Sequence, residues 1–442
     1  MTALFMLGYL AFPVLAIAYM EFSRVSIFRF SIPSFTILCI FMLGYIGLGP
    51  LYLQMDPRRV ELGVVDESLI MIMLLCTCLA IIGLVTGYMF VRVVLRLSHA
   101  PFPGSPFRPL RGLEFTAVAI LFAIGLGTLF LYMAQIPKIA LLASFTESTQ
   151  EVQVARSAMG NDFGGKYHWY RIGMRDLLNL VTYVALANFL IGRRWRSLLF
   201  LIVCLVPTLF SLVLATERSP LGWMLIGAAL VVIAVVSDGV YPIKKLVVLS
   251  AGMLLLLSAY QLYVVSAADF WDAFWTIGSR ILTGGITPAY YYLEFFPAEQ
   301  DFLWGRSLPN PAGIFPFENY RLTVEVLNWR FPADARAGII GSAPTMFWGE
   351  AYANFGYAGV LIVPFYLGTT VALIAHLISR LDNSPLKVGI TVWIAVRYKD
   401  IAVTGFSEFL FDIGMYLMIA AALLPSLLAY GGKLKFSLGR RD

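Results

Sequence analysis

The sequence predicts an all-α polytopic membrane protein with about eleven transmembrane helices. Of its 442 residues, 60% are hydrophobic and only 13% are charged, where a soluble chain carries about a quarter charged residues. Mean hydropathy is +0.80. Apolar runs of about 20 residues, enough to cross a bilayer as helix, recur from end to end.

The runs fall at roughly 3–23, 34–54, 68–91, 112–134, 173–191, 197–215, 220–236, 246–266, 357–378, 388–403 and 411–430. The first begins at Ala3 with no basic stretch before it, and reads as a span rather than a cleaved signal peptide. The chain reads as one integral membrane domain over 1–442, without repeats or a soluble domain.

Charge sorts the loops into two sets. One set carries 17 Lys/Arg against 5 Asp/Glu, including Arg24, Arg29, Arg92, Arg108, Arg111, Arg193, Arg194, Arg196, Lys244, Lys245, Arg380 and Lys387. The other holds the remaining 15 Lys/Arg with 21 Asp/Glu. Short basic loops stay inside, so the C-terminus is expected in the cytoplasm and the N-terminus outside. The net charge of +6 is then mostly this topological signal, and nucleic acid is not an expected partner. All four cysteines lie in apolar runs and the three histidines are scattered. That argues against a disulfide framework and against a zinc site.

Two external loops are large, 135–172 and 267–342. Loops of this length without evident structure tend to be functional. The first holds His168 and Arg171, with Arg175 at the following helix start. The second holds Arg280, Arg306, Arg321, Arg330 and Arg336 among 16 aromatic residues. Twelve of the fifteen external basic residues are arginine. A planar guanidinium suits bidentate phosphate recognition better than lysine does, although salt bridges to the external acids are the plainer use. Tyr290, Tyr291, Tyr292 and Trp304 are candidate sugar contacts, or else membrane anchors.

Three further places carry charge near or inside the apolar runs. Only nine residues separate Lys387 from Arg397, about 15 Å of helix, which puts Arg397, Lys399 and Asp400 near mid-depth. Charges there face a partner or a watery cavity, or Arg397 and Asp400 simply neutralise each other. Glu217 and Arg218 lie in a tight turn before Pro220, where a helix N-terminus favours an anion. Arg218 is a candidate pyrophosphate ligand there, or an arginine reaching for headgroups. Glu350 stands in an apolar stretch with Met346 and Asn354 on the same helical face. The stretch 343–356 reads as a separate interfacial helix, with Glu350 as a buried base or as a structural carboxylate.

The pattern Gly341-Ser342-Ala343-Pro344-Thr345 followed by Gly349-Glu350-x-Tyr352-x-Asn354-Phe355-Gly356 resembles the Wzy-type O-antigen polymerases. Thr216-Glu217-Arg218-Ser219 and Arg280-Ile281-Leu282-Thr283-Gly284-Gly285 are similar to further segments of that family. The resemblance spans about residues 140–425. It implies a GT-C-like glycosyltransferase of the bacterial inner membrane, working at the periplasmic face. Such enzymes transfer a glycan from undecaprenyl pyrophosphate to a lipid-linked acceptor. The bilayer, the lipid-linked donor and acceptor, a chain-length regulator and a flippase are then the partner candidates. No metal-binding Asp-x-Asp motif is present, and no cofactor is expected, so arginines would stabilise the leaving pyrophosphate. On this reading Arg218, Arg280 and Arg397 hold pyrophosphate, with Glu350 or His168 as base. Glu217, Asn354, Lys399, Asp400, Arg171, Arg175, Tyr291, Trp304 and Arg306 are the candidate substrate contacts. An O-antigen ligase shares this architecture. A lipid-linked oligosaccharide flippase is the rival from another class, although no internal repeat supports it.

Overall fold

A computed structural model describes residues 2–97, 107–160, 163, 167–217, 219–264, 269–310, 313–336 and 341–429. Among them the regular structure is helical, with no strand. In chain order the long helices are α1 (Thr2–Phe22), α2 (Ile32–Tyr52), α3 (Glu67–Val93), α4 (Gly112–Met133), α5 (Tyr167–Gly192), α6 (Trp195–Val213) and α7 (Ser219–Val236). They continue with α8 (Ile243–Val264), α9 (Phe347–Ser379), α10 (Pro385–Tyr398) and α11 (Ile413–Ala429).

Nine stretches among the described residues are long and apolar enough to cross a membrane: α1 to α7, α9 and Ser407–Pro425. On α1, Leu4, Leu7, Leu10 and Val14 form one stripe, each more than 60% exposed. Such a stripe is stable only in an apolar solvent. The protein is an all-α, multi-pass membrane protein.

Two expected spans are absent from the nine. The expected 246–266 span corresponds to α8, which is helical over 22 residues. The expected 388–403 span is only the 14-residue α10. At 1.5 Å per residue that is about 21 Å, short of the roughly 30 Å hydrocarbon layer. The helix stops because the chain tightens into a 3₁₀ turn over Lys399–Ala402, where the Asp400 carbonyl accepts from the amides of Val403 and Thr404.

The chain divides into two compact units. The first comprises Met1–Ser98, Tyr241–Ile374 and Tyr398–Asp412. Here α3 and α9 approach backbone to backbone. A Cβ on Gly87 would lie 2.1 Å from the Phe365 carbonyl oxygen, and one on Gly368 would lie 2.1 Å from that of Leu84. Small residues that let helices touch are the usual adhesive in lipid, where burying apolar surface drives nothing.

The large segment of this unit that the charge pattern assigns to the outside contains short helices: Phe270–Gly278, Thr287–Phe295, Leu322–Arg330 and Pro332–Arg336. Its first part docks on α2, where Gly47 leaves room for the Leu282 carbonyl. The loop between α2 and α3 also meets this segment. Arg58 Nη2 donates to Thr276 Oγ1 at 2.8 Å, and the Asp66 amide donates to Tyr290 Oη at 3.1 Å. Residues that the charge pattern assigns to one face of the membrane therefore lie together.

The second unit comprises His99–Val240, Ala375–Arg397 and Ile413–Asp442. It packs α5 against α6 and α7; a Cβ on Gly227 would collide with the Tyr183 hydroxyl, and Thr182 bonds Thr208 at 2.8 Å. On its basic side Arg108 grips Glu114, with Nη1 and Nη2 donating to Oε2 and Oε1 at 2.7 and 2.6 Å. The Arg108 amide bonds the Asn383 carbonyl. Lys387 Nζ donates to the carbonyls of Ser379 and Leu381. Loops expected on the cytoplasmic face thus also meet one another.

Candidate functional site

The site grows from a short helix, Pro57–Glu61, that carries Arg58 and Arg59. Asp56 precedes it in extended conformation with proline at the first turn, which is a helix-start arrangement. Asp56 is 2% exposed and accepts from Thr283 Oγ1 at 2.6 Å. Arg59 Nε stands 3.8 Å from Asp56 and 3.5 Å from Thr283 Oγ1. Among the described residues Arg59 pairs with no carboxylate other than Asp56.

Next to Arg59 opens a pocket of about 380 Å³, within the usual range for small-molecule sites. Gly284, Gly285 and Thr287 form one side, at the start of helix Thr287–Phe295. Tyr291, Phe331 and Leu327 form an apolar wall, and Ala343, Pro344 and Val403 line another side. The glycines are there for space. A Cβ on Gly284 would lie 2.7 Å from the Arg280 carbonyl oxygen, and one on Gly285 would lie 2.9 Å from Val403. Chemically this is one permanent cation, a helix N-terminus and an aromatic face around a cavity, an arrangement suited to an anionic group bearing an apolar or ring-shaped substituent.

Glu350, outside the pocket lining, is 5% exposed. Its Oε1 accepts from Ser307 Oγ at 2.8 Å and its Oε2 from the Ser407 amide at 2.9 Å. Gly405 packs on the carboxylate so tightly that a Cβ there would lie 2.2 Å from Oε2. No ion pair to Glu350 occurs among the described residues. One turn on, Asn354 Nδ2 also reaches Ser307 Oγ, at 2.7 Å, while its Oδ1 accepts from the Gly305 amide at 2.9 Å. The Trp304 amide donates to the Asn354 carbonyl. The i,i+4 spacing of Glu350 and Asn354 therefore clasps one loop, 303–307, while Glu350 also carries 405–407. Gly356 then breaks α9 at φ 61°, ψ −150°, a region open essentially to glycine alone.

The other sequence candidates fall into separate groups. Tyr290, Tyr291 and Tyr292 are all buried, and of the three Tyr291 lines the pocket. Trp304 is 75% exposed, held at φ 50° and edge-on to Phe355. Arg306 lies over the Tyr320 ring, 6.0 Å from its centroid. Arg280 is exposed on a π-helical turn, Ser279–Thr283, one turn before Gly284. Lys399 pairs with Asp400 on the 3₁₀ turn.

In the second unit, Arg175 sits on another π-helical turn, Ile172–Leu177, and pairs with Glu217 at 2.9 Å. Arg171 ends the short helix that carries His168, whose ring meets Trp169. Arg218 lies outside the described residues. Glu350 and Arg397 belong to different units.

The residue that sequence reasoning passed over is Arg59. Its signal was the Asp56-Pro57-Arg58-Arg59 helix start in a short loop. What hid it is distance along the chain: its neighbour Thr283 is 224 residues away.

No family model, no curated protein and no solved structure matches this chain.

Proposed function

We propose that this protein is a glycosyltransferase that polymerises undecaprenyl-pyrophosphate-linked oligosaccharide units at the periplasmic face of the bacterial inner membrane. The observation that carries the reading is the pocket beside Arg59, with the Gly284–Gly285 turn, the helix start at Thr287 and the Tyr291 ring around it. The resemblance of 341–356 and 280–285 to the Wzy-type polymerases points the same way.

In the proposed reaction an acceptor sugar hydroxyl attacks the anomeric carbon of the donor. The new glycosidic bond forms as the bond to the pyrophosphate oxygen breaks, and the acceptor's proton passes to a base. Negative charge grows on the leaving pyrophosphate, and a preorganised cation facing it lowers the barrier. Arg59 takes that role, with Arg280, one turn before Gly284, as a further candidate. Glu350, with both oxygens engaged, acts as a positioning residue. It carries the 405–407 stretch, two residues from the pocket-lining Val403.

The test uses purified protein in liposomes with an undecaprenyl-pyrophosphate oligosaccharide. The expected products are longer glycans and free undecaprenyl pyrophosphate, with Arg59→Ala cutting the rate at least about a hundredfold, the scale of losing one oxyanion-type donor. Movement of the intact lipid across the bilayer without chain growth would instead mean a flippase. In cells, a deletion strain left with single capped repeats indicates a polymerase, and one with no capping indicates a ligase.

A further inference from the structure

The pocket is assembled from stretches far apart in the chain, and one side chain outside its lining ties three of them together. Arg330 is the last residue of helix Leu322–Arg330. Its Nη1 donates to Glu294 Oε2 at 3.1 Å, on the helix that carries Tyr291. Its Nη2 donates to the carbonyl of Leu62, the residue that caps the Arg59 helix at its C-terminal end. Its guanidinium carbon lies 4.9 Å from the centroid of the Tyr291 ring. The next residue, Phe331, lines the pocket and meets Tyr291 edge-on.

The contacts use two nitrogens and a face of the group at once, which a planar five-donor guanidinium can do and a lysine ammonium cannot. Room for it is built in. Gly63 has φ 76°, and a Cβ there would lie 2.6 Å from Arg330 Nη2. A side chain at 63 would displace the clasp as well as strain the backbone.

We propose that Arg330 is a positioning residue for the pocket: it fastens the Arg59 helix and the Tyr291 wall to helix Leu322–Arg330, and does not itself hold the ligand. The inference rests on the reading of the pocket as a pyrophosphate site, and its test separates the two. The full-length protein in nanodiscs is compared as wild type, Arg330→Ala, Arg330→Lys and Arg59→Ala. Two quantities are measured: amide exchange over residues 57–64 and affinity for inorganic pyrophosphate.

Arg330→Ala is expected to speed exchange over 57–64 and to weaken pyrophosphate roughly tenfold, a change of about 1.4 kcal/mol. Arg330→Lys keeps one of the contacts and falls between Ala and wild type, which also guards against simple misfolding of the alanine variant. Arg59→Ala loses pyrophosphate binding with exchange at 57–64 close to wild type.

Unchanged exchange in both Arg330 variants overturns the clasp. Faster exchange with undiminished affinity overturns its role in positioning. A loss of affinity as complete as in Arg59→Ala with unchanged exchange makes Arg330 a ligand contact and overturns the proposal in the other direction. A wild type that fails to bind pyrophosphate defeats the reading of the pocket, while the exchange data alone still decide the clasp.

Discussion

Three carboxylates are buried among the described residues, Asp56, Glu114 and Glu350, and the last two are held in opposite ways. Glu114 is 0% exposed and takes both outer nitrogens of Arg108. Glu350 is 5% exposed and takes a serine hydroxyl and a backbone amide. The first is a scaffold contact, an ion closed by its counter-ion at the basic face. The second joins two loops through neutral donors, one of them, Ser407, in the stretch that follows the pocket-lining Val403. Burial of a charge does not by itself mark a site; the kind of partner and what the partner is attached to separate the two.

The comparison breaks first at Glu114. Arg108→Ala leaves that carboxylate buried without its bidentate partner, at an expected cost of about 3–5 kcal/mol in thermal or denaturant unfolding. The double variant Arg108→Met, Glu114→Leu is expected to recover most of it, since an apolar pair of similar volume replaces a buried ion pair with little loss. A single substitution costing under about 1 kcal/mol, the scale of a surface pair, would put Glu114 in a solvated setting instead.

Glu350→Gln is the sharper probe of the second carboxylate. Its amide oxygen can still accept from the Ser407 amide, but its NH₂ then donates to Ser307 Oγ, whose hydroxyl proton loses its acceptor. The expected cost is about 1–3 kcal/mol, that of an unsatisfied buried group. Amide exchange at Trp304 and Gly305 is expected to quicken in Glu350→Ala and in Asn354→Ala alike, since both hold Ser307. If only Asn354→Ala loosens those amides, Glu350 is not part of the clasp.

The smallest effect concerns Glu294, a carboxylate intermediate between the two. Burial pushes its pKa up despite the neighbouring Arg330; Asp66 also raises it and the Tyr290 hydroxyl lowers it. A raised carboxyl pKa means the folded state holds the proton more tightly. Its contribution to stability is therefore present in acid and is lost as pH rises through the folded value. Between its ordinary value of 4.5 and that higher one, wild-type stability is expected to fall more steeply with pH than that of Glu294→Gln. Parallel Tm–pH curves for the two proteins would remove Glu294 from the account.

Much of the architecture was legible in the sequence, and the site only in pieces. The helix break after Asn354 follows from Gly356, and the shared face of Glu350 and Asn354 follows from their spacing. That both side chains meet Ser307 does not, because Ser307 is 43 and 47 residues away. The segment 267–342 had no helical signature of membrane length, and its short helices hold their shape through contacts with α2 and the α2–α3 loop. Tyr290, Tyr291 and Tyr292 are alike in sequence, yet only Tyr291 lines the cavity. Periodicity fixes where a side chain points along its own helix, not what lies opposite it.

What the sequence by itself determined is membrane residence and the sorting of loops between two faces. Both follow from local and nearly additive quantities, the transfer of each apolar side chain and the charge of each short loop. Only the tertiary structure selected Arg59 from the twelve arginines that the charge pattern assigns to the outside and ended α10 at Tyr398. Those choices depend on pairings across more than 200 residues, such as Arg59 with Thr283, and on the 3₁₀ turn that Asp400 organises. A residue's composition carries no information about partners so remote, because what brings them together is the packing of helices between them.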